Sequence, residues 1–322
     1  MNDAIAGSTP RLDPLKFRDP LVTAKGETRA RVALKSLDTL WFNTGTLCNL
    51  TCRNCYIESS PKNDRLVYLS AAEVAAYLDE IAALGLGTKL IGFTGGEPFM
   101  NRDLIAMLED ALSRGHDAIV LTNAMKPMQY KKRALLALRE RYGAKSPGRL
   151  TIRVSLDHYG AAVHELERGK KSWCPSVDGL KWLADNGFAI NVASRYLSGE
   201  SEAAIRDGFR RLFTELGVTL DASDPVALMI FPEMDATVDV PEITTACWDI
   251  LHKSPDSVMC ASSRMVVKHK GAARPTVAAC TLLPYDALWD FGPGLAGALG
   301  AVPLNHPHCA KFCVLGGAAC SA

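Results

Sequence analysis

The chain has 322 residues, 48% of them hydrophobic, and its 36 basic residues nearly balance 35 acidic ones. This length allows one large α/β domain with a smaller appendage, which is the size of an enzyme. The even charge balance argues against a nucleic-acid partner, because such partners require a concentration of basic residues on one surface. No apolar stretch is long enough to span a membrane and the first residues do not resemble a signal peptide, so we expect a cytoplasmic protein with no membrane partner.

Eight of the ten cysteines of the chain fall into two groups, and Cys174 and Cys247 are isolated. Thiols of a cytoplasmic protein are kept reduced, so metal or cluster binding explains such a number better than disulfides do. One tight group consists of Cys48, Cys52 and Cys55. The other group occupies the C-terminal quarter and consists of Cys260, Cys280, Cys309, Cys313 and Cys320.

The first elements follow a polar N-terminal segment. Residues 1–37 contain prolines and no sustained hydrophobic period, which predicts an arm that lies on the domain or is partly disordered. A short apolar run at 40–43 predicts a strand that leads into the cysteine loop. A capping box at Ser70 predicts a helix that ends at Gly85, and residues 89–94 predict the next strand.

The alternation of helix and strand continues to about residue 231. A helix at 104–112 precedes a strand at 118–121. Further helices are predicted at about 131–142, 176–185 and 203–216, and further strands at 150–156, 188–194 and 226–231. Six strands alternating with helices predict an α/β fold, a partial (β/α)6 barrel of the TIM type. Its chemistry should lie at the carboxyl ends of the strands, where the sequence places Cys48, Gly95, Asn123 and Asp157.

The pattern changes near residue 235. A short hairpin is predicted from strands at 264–267 and 276–279, and loops rich in glycine and proline follow. We therefore expect an N-terminal arm (1–37), a barrel (38–235) and a small cysteine-rich C-terminal domain (236–322).

The triplet Cys48, Cys52 and Cys55 places three thiolates on one loop, close enough to bind three corners of a 4Fe-4S cluster. No fourth cysteine is nearby, so one iron would stay open to a chelating ligand, as in catalytic metal sites generally. A structural zinc site with a distant fourth ligand, or three unrelated thiols, is the alternative. Structural zinc usually uses paired C-x-x-C knuckles, which favours the cluster.

The spacing C-x-x-x-C-x-x-C after the first strand resembles the signature of the radical S-adenosylmethionine (SAM) superfamily. At the end of the next strand, Gly95-Gly96-Glu97-Pro98 resembles that family's GGE motif, whose backbone and glutamate hold the ammonium group of SAM. Glycines let a backbone approach a ligand closely, and a carboxylate complements an ammonium group. The motif alone is an ordinary turn, but its position one βα unit after the triplet implies that these four residues bind SAM.

The ends of later strands extend the resemblance to the SPASM and twitch subgroups, through residues 121–123, 154–157 and 164–169. It implies that SAM is also contacted by polar residues at these ends, namely Asn123, Ser155 and, on the fifth strand, Asn191, Ser194 or Arg195. Capping of strand ends is the alternative role of Asn123 and Ser155. The position before the third cysteine is usually aromatic in the family but is Asn54 here, so we include Tyr56, just after that cysteine, among the cofactor-binding residues.

The C-terminal cysteines resemble the auxiliary-cluster region of SPASM and twitch proteins. A full SPASM region has more cysteines and two clusters, so five candidates imply one twitch-like auxiliary 4Fe-4S cluster. The order of preference for its four ligands is Cys260 and Cys280, then Cys309 and Cys313, with Cys320 as a competitor or substitute. A zinc site that includes His306 or His308, or a reduced tail without metal, is the alternative.

The resemblance implies an enzyme that reductively cleaves SAM to a 5′-deoxyadenosyl radical, which then abstracts a hydrogen atom from a substrate. SPASM and twitch proteins act mostly on peptides, which favours oxidation or crosslinking of a peptide side chain. The same chemistry on a small alcohol or sugar is the second hypothesis. A flavodoxin or ferredoxin is the expected electron donor. A non-catalytic electron carrier or metal sensor is the third hypothesis, against which the GGE turn argues.

Overall fold

The computed structural model describes residues 10–143, 149–197, 199–233 and 235–317. Its strands in chain order are β1 (Arg31–Val32), β2 (Thr39–Asn43), β3 (Leu90–Thr94), β4 (Asp117–Thr122), β5 (Leu150–Ser155), β6 (Ala189–Arg195), β7 (Leu228–Phe231), β8 (Ser263–Val267), β9 (Thr276–Ala278) and β10 (Val302–Pro303). Its α-helices are α1 (Ala71–Ala83), α2 (Leu104–Ser113), α3 (Lys126–Gln129), α4 (Lys132–Arg141), α5 (Ala161–Arg168), α6 (Trp173–Asp185), α7 (Glu202–Leu216) and α8 (Cys247–Ile250). None of these helices is long and apolar enough to cross a membrane.

Eight strands form one sheet in the order β7-β6-β5-β4-β3-β2-β8-β9. From β2 to β7 each strand pairs in parallel with the next strand of the chain. Parallel neighbours need a crossover connection, which the intervening helices supply. The predicted partial (β/α)6 barrel is therefore confirmed, and its strand ends are aligned, with Asn43 opposite Thr94 and Arg195 opposite Phe231.

A local sequence signal sets the start of α1. The Ser70 hydroxyl accepts a hydrogen bond from the Glu73 backbone, and the Glu73 carboxylate accepts one from the Ser70 backbone at 2.9 Å, as the capping box predicts. The start predicted for α6 at residue 176 was wrong, because the helix begins at Trp173. Pro175 lies in its first turn, where the missing N–H is not needed by the helix.

Alternate residues of β2 separate two hydrophobic clusters on the two faces of the sheet. Leu40 and Phe42 belong to the cluster that packs against the helices, whereas Trp41 packs with the C-terminal part of the chain. Gly92 on β3 lies against the Trp41 ring. A Cβ added at Gly92 would come within 2.3 Å of that ring. The C-terminal region thus shares a core with the barrel.

The described part of the N-terminal arm packs against this C-terminal region. β1 pairs with β10, and the buried guanidinium of Arg29 binds Glu242 at 2.5 Å and donates to the Leu304 carbonyl at 3.3 Å. The hairpin of β8 and β9 forms as predicted, but β8 also pairs in parallel with β2, so the hairpin extends the barrel sheet. The division into three domains with a boundary near residue 235 stays a prediction.

Candidate active site

The three cysteines of the triplet lie on the loop that leaves β2, and all three line one cavity at the carboxyl ends of the strands. The cavity has a volume of about 170 Å³. The backbone N–H groups of Leu50 and Ser59 point at the sulfurs of Cys48 (3.4 Å) and Cys55 (3.3 Å). Burial raises the pKa of Cys48 to about 12, so this thiol needs a bound metal to become a thiolate near neutral pH.

The glycine turn after β3 lines the same cavity. Gly95 has a φ of +138°, and the N–H of Gly96 donates to the Gly45 carbonyl at 2.8 Å. A Cβ on Gly96 would come within 2.3 Å of the Leu47 carbonyl oxygen, which belongs to the cysteine loop. Only glycine therefore allows the turn to lie this close to the triplet.

The Glu97 side chain is buried behind this turn, and neither it nor Pro98 is among the cavity-lining residues. Its carboxylate accepts hydrogen bonds from the Phe99 backbone (3.1 Å), the Thr122 hydroxyl (2.8 Å) and the Asn123 backbone (2.9 Å). Burial raises the pKa of Glu97 to about 7, although these three donors favour the ionised form. In this structure the carboxylate therefore joins the ends of β3 and β4, while the glycines face the cavity.

Most of the polar residues predicted at the strand ends line the cavity, namely Asn123, Ser155, Ser194 and Arg195, and Tyr56 lines it from the cysteine loop. The Asn123 amide is held by Asn49, to which it donates at 3.0 Å. Asn191 is not among the lining residues. It lies two residues before Ala193 on β6, on the same face of the strand but deeper in the barrel.

Two charged lining residues had no predicted role in the site, although the sequence placed one of them, Asp157, at a strand end. Arg168, at the end of α5, binds Asp157 after β5 through two hydrogen bonds of 2.8 Å. Burial opposes the charge of both groups, but each partner compensates the other, so the pKa of Asp157 lies below and that of Arg168 above its ordinary value. The signal in the sequence was an Asp directly after a strand and an Arg before Gly169. The helix α5, which brings Arg168 to Asp157, was not predicted, so the spacing of the two residues in the sequence did not show that they are in contact.

The same helix holds the cysteine loop. The backbone carbonyl of Glu167 accepts from the Arg53 N–H at 2.7 Å, and its carboxylate accepts from the Asn54 amide at 2.8 Å. Asn54 therefore replaces the expected aromatic residue with a polar anchor. From the other side of the loop, Tyr285 donates to the Ile57 carbonyl at 2.7 Å.

A second, smaller cavity collects cysteines of the C-terminal group. It is lined by Cys260, Cys280, Cys309 and Cys313, with His308 beside them. Burial, together with the nearby Cys280, raises the pKa of Cys260 to about 12. Cys320 lies outside the described residues. His306 is not a lining residue of this cavity.

Apolar residues separate the two cavities. Leu282 lines both of them, and Phe312 lines the first cavity from a π-helical turn that also carries Cys309 and Cys313. The Phe312 ring stacks on Phe231 at the end of β7, with ring centres 5.3 Å apart. None of these three apolar residues was predicted as a site residue, because they come into contact only when the tail packs against the edge of the barrel.

Fold and site together define a class of protein: a parallel partial barrel with a three-thiol loop and a glycine turn around one cavity at the strand ends. Residues 42–211 match the family model of the Radical SAM superfamily, and the chain belongs to that superfamily.

Two curated proteins are similar to parts of the chain. Over 147 residues it is 31% identical to the antilisterial bacteriocin subtilosin biosynthesis protein AlbA of Bacillus subtilis, covering 45% of this chain and 30% of AlbA. Over 85 residues it is 34% identical to the Fe-coproporphyrin III synthase of Methanosarcina barkeri, covering 26% of this chain and 20% of that protein. The matched part thus spans less than a third of the length of either relative.

The fold is similar to that of SuiB from Streptococcus suis. With SuiB bound to S-adenosylmethionine, the TM-score is 0.56 at 12% identity, covering 78% of this chain and 62% of SuiB. With SuiB bound to its precursor peptide SuiA, the TM-score is 0.57 at 11% identity, covering 82% and 63%. At these identities the similarity is one of fold.

Proposed function

We propose that the chain is a radical SAM enzyme that binds a 4Fe-4S cluster through Cys48, Cys52 and Cys55. The observation that carries the proposal is that these three thiols and the Gly95-Gly96 turn line one cavity. The residues fit the cofactors, because three thiolates leave one iron of a cubane open and the glycine turn, where a Cβ would collide with the cysteine loop, lies directly beside those thiols. When bound, the cluster and SAM supply reductive cleavage of SAM and a 5′-deoxyadenosyl radical.

The strand ends would hold and orient SAM. The polar groups of Asn123, Ser155 and Ser194 are suited to its hydroxyl and amino groups, and the guanidinium of Arg195 is suited to its carboxylate. Tyr56 offers a ring to the adenine. For Glu97 we now favour a positioning role, because its carboxylate already accepts three hydrogen bonds from the chain. Asn191 is left out of the proposed SAM site.

The smaller cavity would hold one auxiliary 4Fe-4S cluster through Cys260, Cys280, Cys309 and Cys313. These four thiols line one cavity, and Cys320 is not needed to complete the set. Within the described ranges, no three His, Cys, Asp or Glu side chains are close enough to share one metal ion. Four thiolates are the usual ligand set of one 4Fe-4S cluster.

The proposed reaction is oxidation or crosslinking of a peptide side chain, with a flavodoxin or ferredoxin as electron donor. Support comes from the names of two similar proteins, since AlbA acts in bacteriocin biosynthesis and SuiB was captured with a precursor peptide. A small-molecule substrate is the second candidate, supported by the similarity to an Fe-coproporphyrin III synthase.

The test is anaerobic reconstitution of the protein with iron and sulfide, followed by dithionite and SAM. We expect formation of 5′-deoxyadenosine and methionine, measured by liquid chromatography. The matched control is the same reaction on the Cys174→Ala variant, because Cys174 is exposed and lines neither cavity. A wild-type protein that binds iron but leaves SAM intact would contradict the proposal and favour a non-catalytic electron carrier.

A further inference from the structure

The cavity that the cysteine triplet lines, here called the larger cavity, has charged residues in one part of its lining and apolar residues in another. Its charged groups are Asp157, Arg168 and Arg195, which lie at or just after the ends of β5, α5 and β6. Every described lining residue after Arg195 is apolar, namely Phe231, Leu282 and Phe312. We call these last three residues the apolar wall.

The apolar wall is a packed surface and not a chance exposure of apolar residues. Phe312 is 3% exposed and Leu282 is 6% exposed. The rings of Phe231 and Phe312 stack on each other with planes 26° apart, and together with Leu282 they form an apolar face of the cavity. Behind that face lie the thiols of the smaller cavity, which Leu282 also lines.

We propose that the apolar wall receives an aliphatic or aromatic side chain of the substrate and holds it beside SAM. This inference rests on the proposed function, in which SAM occupies the polar part of the same cavity. With SAM on the polar strand ends and Asp157 bound to Arg168, the apolar wall remains as a surface of the same cavity at which a substrate can be held next to SAM. An apolar side chain gains from leaving water there, and it asks for no hydrogen-bond partner.

A sugar or small polyol is disfavoured by the same wall. Its hydroxyl groups would lose water on entering and would face side chains that carry no donor or acceptor. Sites that select hydroxylated substrates place polar groups opposite the hydroxyls. The wall therefore distinguishes a peptide with an apolar residue from a polyol.

The test uses small probes on the reconstituted protein with SAM present, so that the probes report on the wall and not on the SAM site. The probes are N-acetyl-leucinamide, N-acetyl-phenylalaninamide, N-acetyl-serinamide and glucose, and binding is measured by saturation-transfer NMR. We expect the two apolar amides to bind at least about tenfold more tightly than serinamide or glucose. Leu282→Asn should remove this preference, whereas Leu282→Met, which stays apolar at similar volume, should keep it.

Tyr130→Ser is the surface control, because Tyr130 is 78% exposed and lines neither cavity. Equal or tighter binding of serinamide or glucose, or failure of either apolar amide to bind to the wild type, overturns the proposal. SAM affinity and iron content, measured on the same samples, report separately on the proposed function. A protein that binds iron and SAM but prefers the polar probes is a radical SAM enzyme with a different substrate class.

Discussion

The guanidinium of Arg168 donates two hydrogen bonds of 2.8 Å to the carboxylate of Asp157 in the lining of the larger cavity. The pair ties the end of α5 to the end of β5, and the neighbouring Glu167 holds the cysteine loop through Arg53 and Asn54. Burial raises the pKa of Cys52, and the Arg168 guanidinium partly offsets this rise. One helix end therefore fixes the loop and places a positive charge beside its thiols.

Arg168→Met should destabilise the apo-protein by about 3–5 kcal/mol, because it leaves the carboxylate of Asp157 buried without its partner. Urea unfolding of the wild type and the variant measures this change. Arg102→Met is the matched control, since the Arg102 side chain is 93% exposed, and it should change stability by less than about 0.5 kcal/mol. Equal effects of the two substitutions would show that the Asp157 pair contributes no more than a surface charge.

Cys48→Ala, Cys52→Ala and Cys55→Ala should each abolish SAM cleavage, because a cubane that lacks a thiolate loses an iron or falls apart. Iron content should fall by about one cluster while the C-terminal cluster remains. Iron analysis and 5′-deoxyadenosine formation are measured on the same anaerobic samples. If all three variants still cleave SAM, the proposed cluster site is wrong.

Glu97→Ala should weaken SAM binding about tenfold to a hundredfold without loss of iron. The reason is indirect, because the Thr122 hydroxyl and the Phe99 and Asn123 backbones lose their acceptor and the strand ends beside SAM loosen. Isothermal titration of SAM on the reconstituted protein measures the effect. Glu215→Ala, on an exposed position of α7, is the control. Unchanged affinity would leave the Glu97 carboxylate with no part in the SAM site.

Replacing Cys260 and Cys280 together with Ala should leave slow SAM cleavage in the absence of substrate but remove product formation. Only the first site is proposed to bind SAM, whereas the second is proposed to serve the substrate. The variant should also loosen the C-terminal region, since cluster binding contributes to folding. Mössbauer spectra and metal analysis provide the measurement, with the Cys174→Ala, Cys247→Ala double variant as control. One zinc per chain, with four irons in both the wild type and the Cys260, Cys280 variant, would make the tail a structural zinc site.

Local patterns in the sequence were sufficient to predict the barrel and to place the cysteine triplet beside the glycine turn. Strand and helix periods, together with the capping box at Ser70, depend on neighbouring residues and can be read directly. The triplet and the Gly95-Gly96 turn could be placed together because each follows a strand, and parallel strands end at the same edge of a sheet.

The other features of the site depend on residues that are far apart in the sequence, which local patterns do not predict. Asn191 and Ser194 lie on the same strand, but Ser194 is next to its carboxyl end and lines the cavity, whereas Asn191 lies deeper in the barrel and does not. The pairing of Arg168 with Asp157 depends on a helix that the periodicity did not reveal. The contact of Phe231 with Phe312 joins residues far apart in the chain.

By itself the sequence therefore determined the barrel, the three-thiol loop and the glycine turn, because each is encoded by residues close together in the chain. Only the tertiary structure decided how the tail meets the edge of the barrel, which cysteines gather there and which apolar residues face the cavity. Such contacts depend on the packing of distant segments, which no local period records.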